Sequence, residues 1–127
     1  MPLVRIDLLK GRDVKGISEA VHRALVETMG VPERDRFHLV TQHDALIFDP
    51  GYLDIQRQSP VFIHVTLSAG RDVALKQKFY ARCAALVSKA GVRPEDVTIV
   101  LTENHREDWS FGLGEAQYVT RPRDQWR

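Results

Sequence analysis

Two short stretches, Gly11-Arg12-Asp13-Val14 and Gly70-Arg71-Asp72-Val73, are identical and stand 59 residues apart. Two further landmarks recur in the same order. Pro2 and Pro60 each open an apolar run, and the sequence Gly-Val-Pro-Glu-Arg-Asp at 30–35 is echoed by Gly-Val-Arg-Pro-Glu-Asp at 91–96. Self-similarity at a fixed spacing is the signature of a duplicated structural unit. The sequence therefore predicts two internal repeats, at about residues 2–42 and 60–102.

Each repeat has the pattern of a strand, a helix and a second strand. Apolar residues alternate along 3–8, and their counterpart at 61–67 is continuously apolar apart from His64 and Thr66, so both stretches predict strands. Apolar positions at spacings of three and four predict a helix in each repeat: Val14, Ile17, Val21, Leu25 and Met29 in the first, and Leu75, Phe79, Cys83, Leu86 and Ala90 in the second. Residues 37–42 and 97–102 predict the closing strands.

The ends of the predicted helices carry suitable residues. Asp13 and Asp72 are placed to cap the two helix starts, and Gly30 and Gly91 to end the helices. A strand-helix-strand unit leaves its two strands parallel. The predicted fold class is therefore α/β, with two tandem β-α-β repeats forming a four-stranded sheet and both helices on one face.

The other face of such a sheet needs a cover, since it is expected to carry residues such as Phe62 and Val40. This predicts a homo-oligomer. The tail at 103–127 contains two segments, 109–112 and 116–119, that we expect to form a hairpin completing a neighbouring subunit. The 127 residues are interpreted as a single domain.

Composition excludes several functions. A formal net charge of +1 provides no field to gather nucleic acid or anionic lipid, and no apolar stretch is long enough for a signal peptide or a membrane span. Cys83 is the single cysteine, so no internal disulfide can form, and we expect a cytoplasmic protein. The five histidines lack metal-ligand spacing, and no phosphate-binding loop is present, so neither a metal nor a cofactor is expected.

Pro2 is the remaining candidate for chemistry. Removal of Met1 would leave a secondary amine at the start of a strand, and an α-amino group titrates near neutral pH, at about 7.7–8.0. Proline also begins strands for purely structural reasons, and Pro60 occupies the matching place without an amine. Composition and spacing alone therefore favour a structural role for Pro2.

Three motifs carry a resemblance to a known family. They are the start Pro-Leu-Val-Arg-Ile-Asp-Leu at 2–8, Gly-Val-Pro-x-x-Asp-Arg-Phe at 30–37, and Glu-Asn-x-x-x-Asp-Trp-Ser-Phe-Gly at 103–112. Together with the two repeats, they resemble the tautomerase superfamily and, within it, the malonate semialdehyde decarboxylase branch. The resemblance runs from Pro2 to about Thr120.

The resemblance implies a role for five residues. Pro2 is the catalytic amine, and Asp35 is the acidic residue near the reacting carbonyl or water. Arg71 grips the substrate carboxylate, and Trp109 and Phe111 form the aromatic wall of the pocket. It also implies a homotrimer.

Each role has a structural alternative. Arg12 stands at the position of Arg71 in the first repeat, and Asp96 is the counterpart of Asp35 in the second. A structural function common to both repeats is therefore the alternative for Arg71 and Asp35. The two aromatic residues would also suit a subunit interface. One departure from the decarboxylase pattern Ser-Arg-x-Arg is Ala69, which replaces the first arginine and weakens the expected grip on a carboxylate.

The leading hypothesis is a cofactor-free decarboxylase of a short 3-oxo acid resembling malonate semialdehyde, with a small carboxylic acid as substrate. The alternatives are a keto-enol tautomerase of an enol acid such as phenylenolpyruvate, and a non-catalytic trimer.

Overall fold

The computed structural model describes residues 1–125 and contains a four-stranded sheet packed against two long helices. The strands are β1 (Leu3–Leu9), β2 (Phe37–His43), β3 (Val61–Ser68) and β4 (Val97–Asn104). The helices are α1 (Val14–Met29), α2 (Val73–Ser88) and the short α3 (Gln117–Thr120). Single 3-10 turns lie at Tyr52–Asp54, Pro94–Asp96, Arg106–Asp108 and Arg123–Gln125. The predicted fold class is confirmed.

The sheet follows the duplication of the sequence. Its strand order is β2-β1-β3-β4, with β1 parallel to β2 and β3 parallel to β4. The two repeats meet where β1 pairs antiparallel with β3, and Ile6 stands opposite Ile63 at the centre of this ladder. The start of β1 and the tail after β4 are thereby brought near each other.

The core lies between the sheet and the two helices. Alternate residues of β1 and β3 are buried, and they meet the apolar stripes of α1 and α2. The fully enclosed side chains include Val4, Ile6, Leu8, Ile17, Val21, Leu25, Ile63, Val65, Phe79 and Cys83. Burial of one such side chain contributes roughly 1.5–3 kcal/mol, so these stripes decide how the layers face each other.

The helix ends agree with the sequence at all four predicted positions. Asp13 Oδ1 accepts a hydrogen bond from the Gly16 amide at 3.0 Å, and Asp72 Oδ1 accepts one from the Leu75 amide at 2.9 Å. Gly30 ends α1 in the left-handed conformation, with φ of 70°. Gly91 likewise stops the second helix in the left-handed conformation, with φ of 90°; the regular part of α2 ends at Ser88, and the Val92 amide donates back to the Val87 carbonyl at 3.2 Å across the last turn.

The sheet face away from the helices is open. One row across it, in register, consists of Leu39, Arg5, His64 and Val100. Leu39 is 48% exposed, Val100 is 52% exposed, and Phe37 on the same face is also 52% exposed. Large apolar side chains at both edges of an uncovered sheet mark an interaction surface.

The prediction for this face is right for Phe62 and wrong for Val40. Phe62 stands opposite Asp7 and shares the open face. Val40 stands opposite Ile6, so it turns toward the helices and packs against the core. The difference arises because side chains alternate strictly along β2, and β2 starts on an outward-facing residue.

The hairpin predicted in the tail is wrong for residues 103–125. After β4 the chain forms a 3-10 turn and then the single-turn helix α3. The Gln117 side chain closes the loop between them, since it accepts a hydrogen bond from the Phe111 amide and donates one to the Gly112 carbonyl. These bonds use the backbone groups that a hairpin would have paired. Residues 126 and 127 of the predicted tail lie outside the described residues.

Two properties of the described residues bear on function. No helix within 1–125 is long and apolar enough to cross a membrane. Cys83 is fully buried, and burial raises the pKa of its thiol to about 12, so it is not a reactive nucleophile.

Candidate active site

The start of the chain lies among the residues that the sequence singled out. Pro2 is buried at the beginning of β1, and its nitrogen is an amide because Met1 precedes it. The terminal ammonium therefore belongs to Met1, one residue before the proposed amine. It stands 3.9 Å from Asp35 Oδ2 and donates a hydrogen bond to the Tyr118 hydroxyl at 2.7 Å. The chain start thus meets the loop before β2 and the helix α3.

Burial governs the charges at this position. It lowers the pKa of the Met1 amine, and the nearby cations of Arg71 and Arg106 lower that pKa further, while Asp35 opposes them. Burial also raises the pKa of Asp35, against the effect of the ammonium. It likewise raises the pKa of Tyr118, so the phenol stays neutral. Desolvation penalises every charged form here, as expected of a pocket that excludes water.

An apolar cavity opens beside this cluster. Its volume is about 360 Å³, and Met1, Asp35 and Tyr118 line its polar end. The remaining wall includes Phe37 and Phe111. A cavity with an apolar wall and a few convergent polar groups is the usual form of a small-molecule site.

The aromatic residues of the tail are stacked at the edge of this cavity. Trp109 lies parallel to Phe111, with ring centroids 5.5 Å apart, and Phe111 meets the ring of Tyr118 edge to face at 4.8 Å. Trp109 Nε1 donates to Asn104 Oδ1 at 2.8 Å, which ties the stack to the end of β4. Of the two predicted aromatic residues, Phe111 lines the 360 Å³ cavity, whereas Trp109 supports it from behind and lines a neighbouring groove.

Arg71 lies close enough to the terminal amine to lower its pKa, but it is not among the residues lining the cavity. Its guanidinium donates to the Ser68 carbonyl at 3.0 Å and to the Met29 carbonyl at 3.4 Å. Burial lowers the pKa of Arg71 without removing its charge. Two of its five donors are thus engaged with the backbone, and the others are available to an anion.

The second repeat contains an equivalent cluster, Asp96 and Arg12, and the backbone at Gln58 and Ser59 occupies the space between them. Asp96 is 1% exposed and accepts hydrogen bonds from the Gln58 amide at 2.7 Å and the Ser59 amide at 3.2 Å. Arg12 donates to the Ser59 carbonyl and, at 2.9 Å, to the Gly91 carbonyl. Ser59 therefore stands beside Asp96 as Met1 stands beside Asp35. The structural role considered for the arginines is real, because both close the end of the other repeat's helix.

Sequence reasoning missed two residues of this cluster. Tyr118 contacts the terminal amine, and Arg106 acts on it electrostatically. Neither stands in a motif with a fixed spacing from Pro2, and Tyr118 was assigned to a hairpin strand. Among residues 1–125, no group of three histidine, cysteine or acidic side chains is placed to hold a metal ion.

Comparison with known proteins identifies the family. Two family models, both described as tautomerase enzyme, match residues 2–46 and 35–112. The chain belongs to the tautomerase family. The probable tautomerase YusQ of Bacillus subtilis (strain 168) is 38% identical over 126 residues, which cover 94% of this chain and 99% of that protein. This chain is accordingly an enzyme of the tautomerase superfamily.

Solved structures refine the comparison to a branch. A crystal structure of FG41 malonate semialdehyde decarboxylase inhibited by 3-bromopropiolate is 45% identical, with a TM-score of 0.87 and coverage of 93% of this chain and 95% of that one. A second malonate semialdehyde decarboxylase is 34% identical, with a TM-score of 0.83 and coverage of 93% and 96%. It was solved as wild type, in an inactivated form, and as a mutant whose first residue, a proline, is alanine. These matches support the branch that the sequence motifs resemble.

Proposed function

We propose that this tautomerase decarboxylates a short 3-oxo acid of the malonate semialdehyde type, with Pro2 as its catalytic amine after removal of Met1. One observation carries the proposal: the chain start lies in a partly buried pocket, where the Met1 amine is 3.9 Å from Asp35 and within the electrostatic influence of Arg71 and Arg106, and Pro2 is the next residue. The 45% identity to a malonate semialdehyde decarboxylase supports the choice of reaction.

The proposed chemistry uses charge that develops only as the bond breaks. Arg71 holds the substrate carboxylate, while the cationic Pro2 amine polarises the 3-oxo group by a hydrogen bond. Alternatively, the Pro2 nitrogen, once deprotonated, attacks the 3-oxo carbon, and the two amine protons leave with the carbonyl oxygen as water to give an iminium ion. The bond between the carboxylate carbon and its neighbour breaks, and its electron pair moves toward the polarised carbonyl or iminium. Carbon dioxide leaves, and the carbon that bore the carboxylate takes up a proton. Asp35 positions the carbonyl or the water that releases the product.

The first experiment measures carbon dioxide release by the untagged protein and by P2A and R71A. Each substitution is expected to lower the rate by at least about 100-fold, because R71A removes the cation that holds the carboxylate and P2A replaces a rigidly held secondary amine with a more mobile primary one. R12A is the matched control for R71A, since Arg12 binds the carbonyl at the end of α2 as Arg71 binds the one at the end of α1. Full activity in P2A or R71A would disprove the mechanism.

A second candidate reaction is favoured by the size of the cavity. At about 360 Å³ it falls in the range of pockets for larger ligands, roughly 300–1,000 Å³, and Phe37, Phe111 and Leu113 offer an apolar wall. Such a space suits an aromatic enol acid such as phenylenolpyruvate, on which a neutral Pro2 would move a proton from oxygen to carbon.

The pH profile separates the two reactions. An isomerase that uses Pro2 as a base gains rate as the amine loses its proton, whereas the decarboxylase loses rate over the same range. Both activities are measured on the same preparation, with malonate semialdehyde and phenylenolpyruvate as substrates.

Removal of Met1 is a separate requirement, since an amide nitrogen is neither basic nor nucleophilic. Mass spectrometry of untagged protein from the native host is expected to give a mass lower by one methionine residue. A retained Met1 would exclude catalysis by Pro2.

The proposal includes a homotrimer in the cytoplasm. Exposed Phe37, Leu39 and Val100 on the open sheet face support assembly with further copies of the chain. The cytoplasmic location rests on the lone, buried Cys83.

A further inference from the structure

We infer that His22 is a positioning residue, which holds the loop between α1 and β2 so that Asp35 faces the chain start. The inference concerns the same site and rests on the proposed role of Asp35. His22 lies on α1, outside the cavity and outside every motif that the sequence singled out.

The contact itself is buried and directional. His22 is 1% exposed, and its Nε2 lies 2.8 Å from the carbonyl oxygen of Glu33, two residues before Asp35. A carbonyl can only accept, so Nε2 carries the proton and donates it. The ring packs edge to face against His38, with centroids 6.1 Å apart. Burying an imidazole in an otherwise apolar helix face costs free energy of desolvation, and the hydrogen bond to Glu33 offsets part of that cost.

The backbone transmits this contact to Asp35 over a short distance. The Asp35 amide donates to the Pro32 carbonyl at 3.0 Å, which makes residues 32–35 a closed turn. His22 binds this turn at the Glu33 carbonyl and thereby holds the turn against α1. His22 also acts to lower the pKa of Asp35, against the effect of burial.

Two exposed ion pairs hold the same loop less firmly. Arg23 forms a paired contact with the Glu33 carboxylate at 2.6 and 3.1 Å, and Arg36 does so with Glu19 at 2.8 and 3.0 Å. Surface ion pairs of this kind contribute little to stability, because water competes for both charges. The hydrogen bond of His22 is therefore the buried side-chain contact that holds this loop, alongside the packing of Val31 in the core.

The second repeat shows why the first needs this attachment. Ala81 occupies the position of His22 on α2, which has the same length as α1. Asp96 is instead held by the Gln58 and Ser59 amides, which come from the continuous chain. Asp35 instead faces the Met1 ammonium, and His22 holds the turn of the aspartate from α1.

Three variants of His22, which differ in the reach of the donor, test the inference. In H22Q the amide nitrogen lies three bonds from Cβ, as Nε2 does in histidine, so it can still donate to Glu33. In H22N the donor is one bond too short, and in H22L it is absent. We expect H22N and H22L to lower kcat about 10- to 100-fold with little change in KM, since a small displacement of a catalytic group has costs of this size. H22Q is expected to stay within about threefold of the wild type, and R23A, which removes an exposed pair, to be unchanged.

A double mutant separates positioning from a general loss of structure. If His22 acts through Asp35, adding H22L to D35N causes no further fall in kcat. Independent, multiplicative losses would overturn the inference. Loss of rate in D35N with none in H22L and H22N would do the same.

A measurement without activity separates this inference from the proposed function. Hydrogen exchange of the Asp35 amide, followed by NMR, is expected to be faster in H22N and H22L than in H22Q and the wild type. Unchanged exchange overturns the positioning role whatever the enzyme catalyses. Faster exchange together with an inactive wild type or a fully active D35N would instead disprove the proposed function and leave the attachment of the loop established.

Discussion

Opposite charges face each other at the chain start in surroundings that favour neither of them. The Met1 amine and Asp35 are 3.9 Å apart, yet burial lowers the pKa of the amine and raises that of the carboxyl. Desolvation therefore outweighs the attraction between the two groups. An amine and a carboxyl whose pKa values approach each other suit a site that handles protons near neutral pH.

The D35N substitution tests this balance through the pH profile. In the wild type, activity by the acid mechanism is expected between the pKa of Asp35 and that of the amine. Asparagine removes the acidic limb and also a negative charge that raises the pKa of the Met1 amine, so by the same effect on Pro2 the alkaline limb is expected to move to lower pH. We expect kcat/KM to fall about 100-fold, measured across the pH range at constant ionic strength. An alkaline limb that stays in place or moves upward would show that Asp35 does not act on the amine.

At the scale of elements, the contact between α1 and β2 contains a second titratable group. His38 faces α1 from β2, and its Nδ1 lies 2.8 Å from the Ser18 hydroxyl. Burial lowers its pKa from 6.5 to about 4, and the neighbouring His22 and Arg36 act in the same direction. The imidazole is thus neutral in the folded protein at pH values where the unfolded chain binds a proton.

This difference makes the free energy of unfolding depend on pH. Because the folded pKa is depressed, the stabilisation is complete above about pH 6.5 and is lost as the pH falls toward 4. We expect the thermal midpoint to fall over this range, and to fall less in H38N, whose side chain does not titrate. Thermal unfolding by circular dichroism at several pH values measures both. Equal slopes in the two proteins would contradict the predicted neutral His38.

Elements formed by local patterns were predictable from the sequence, and those formed by long-range contacts were not. The stripe of α1 and the alternation in β1 report burial directly, because neighbours in the pattern share a face. Tyr118 shows the limit, since its partner is the amine 117 residues earlier in the chain. The tail loop was also missed because the Gln117 side chain, rather than a turn motif, closes it.

Across the whole molecule, the duplicated repeats have diverged into one open cluster and one closed cluster. Asp35 lines a cavity and Arg71 acts electrostatically on the amine beside it, whereas Asp96 and Arg12 enclose the peptide of Ser59. Repeat symmetry let the sequence point to both aspartates but not choose between them. The resemblance to the tautomerase superfamily is what selected Asp35, the aspartate beside the chain start.

Asp96 is accordingly expected to serve stability and not catalysis. In D96A the Gln58 and Ser59 amides lose a buried acceptor, which costs about 1–3 kcal/mol of the free energy of unfolding. The activity at a temperature where the variant is folded is expected to equal that of the wild type. D35A is the matched comparison, in which activity is lost and stability changes little. Chemical denaturation and a rate assay on both variants measure these effects, and a catalytic defect in D96A would contradict the division of roles.

The open sheet face is expected to control assembly. Val100 lies 52% exposed in the middle row of that face, and V100D would bury a charge against a neighbouring copy. We expect sedimentation analysis to change from three chains to one, with secondary structure retained. Val73, 70% exposed at the start of α2, provides the control V73D, which should leave assembly intact. A trimeric V100D would place the interface elsewhere.

The filled cluster around Asp96 also indicates what a break in the chain would create. Ser59 and Pro60 stand to Asp96 and Arg12 as Met1 and Pro2 stand to Asp35 and Arg71. If the peptide bond between Ser59 and Pro60 were cut, the halves would remain joined through β1 and β3, and Pro60 would gain a secondary amine. With Met1 also removed, such a two-piece molecule would present two proline amines, each in the neighbourhood of an aspartate and an arginine. The number of reactive centres in this fold is thus a matter of chain continuity, and a single cleavage is a route to doubling it.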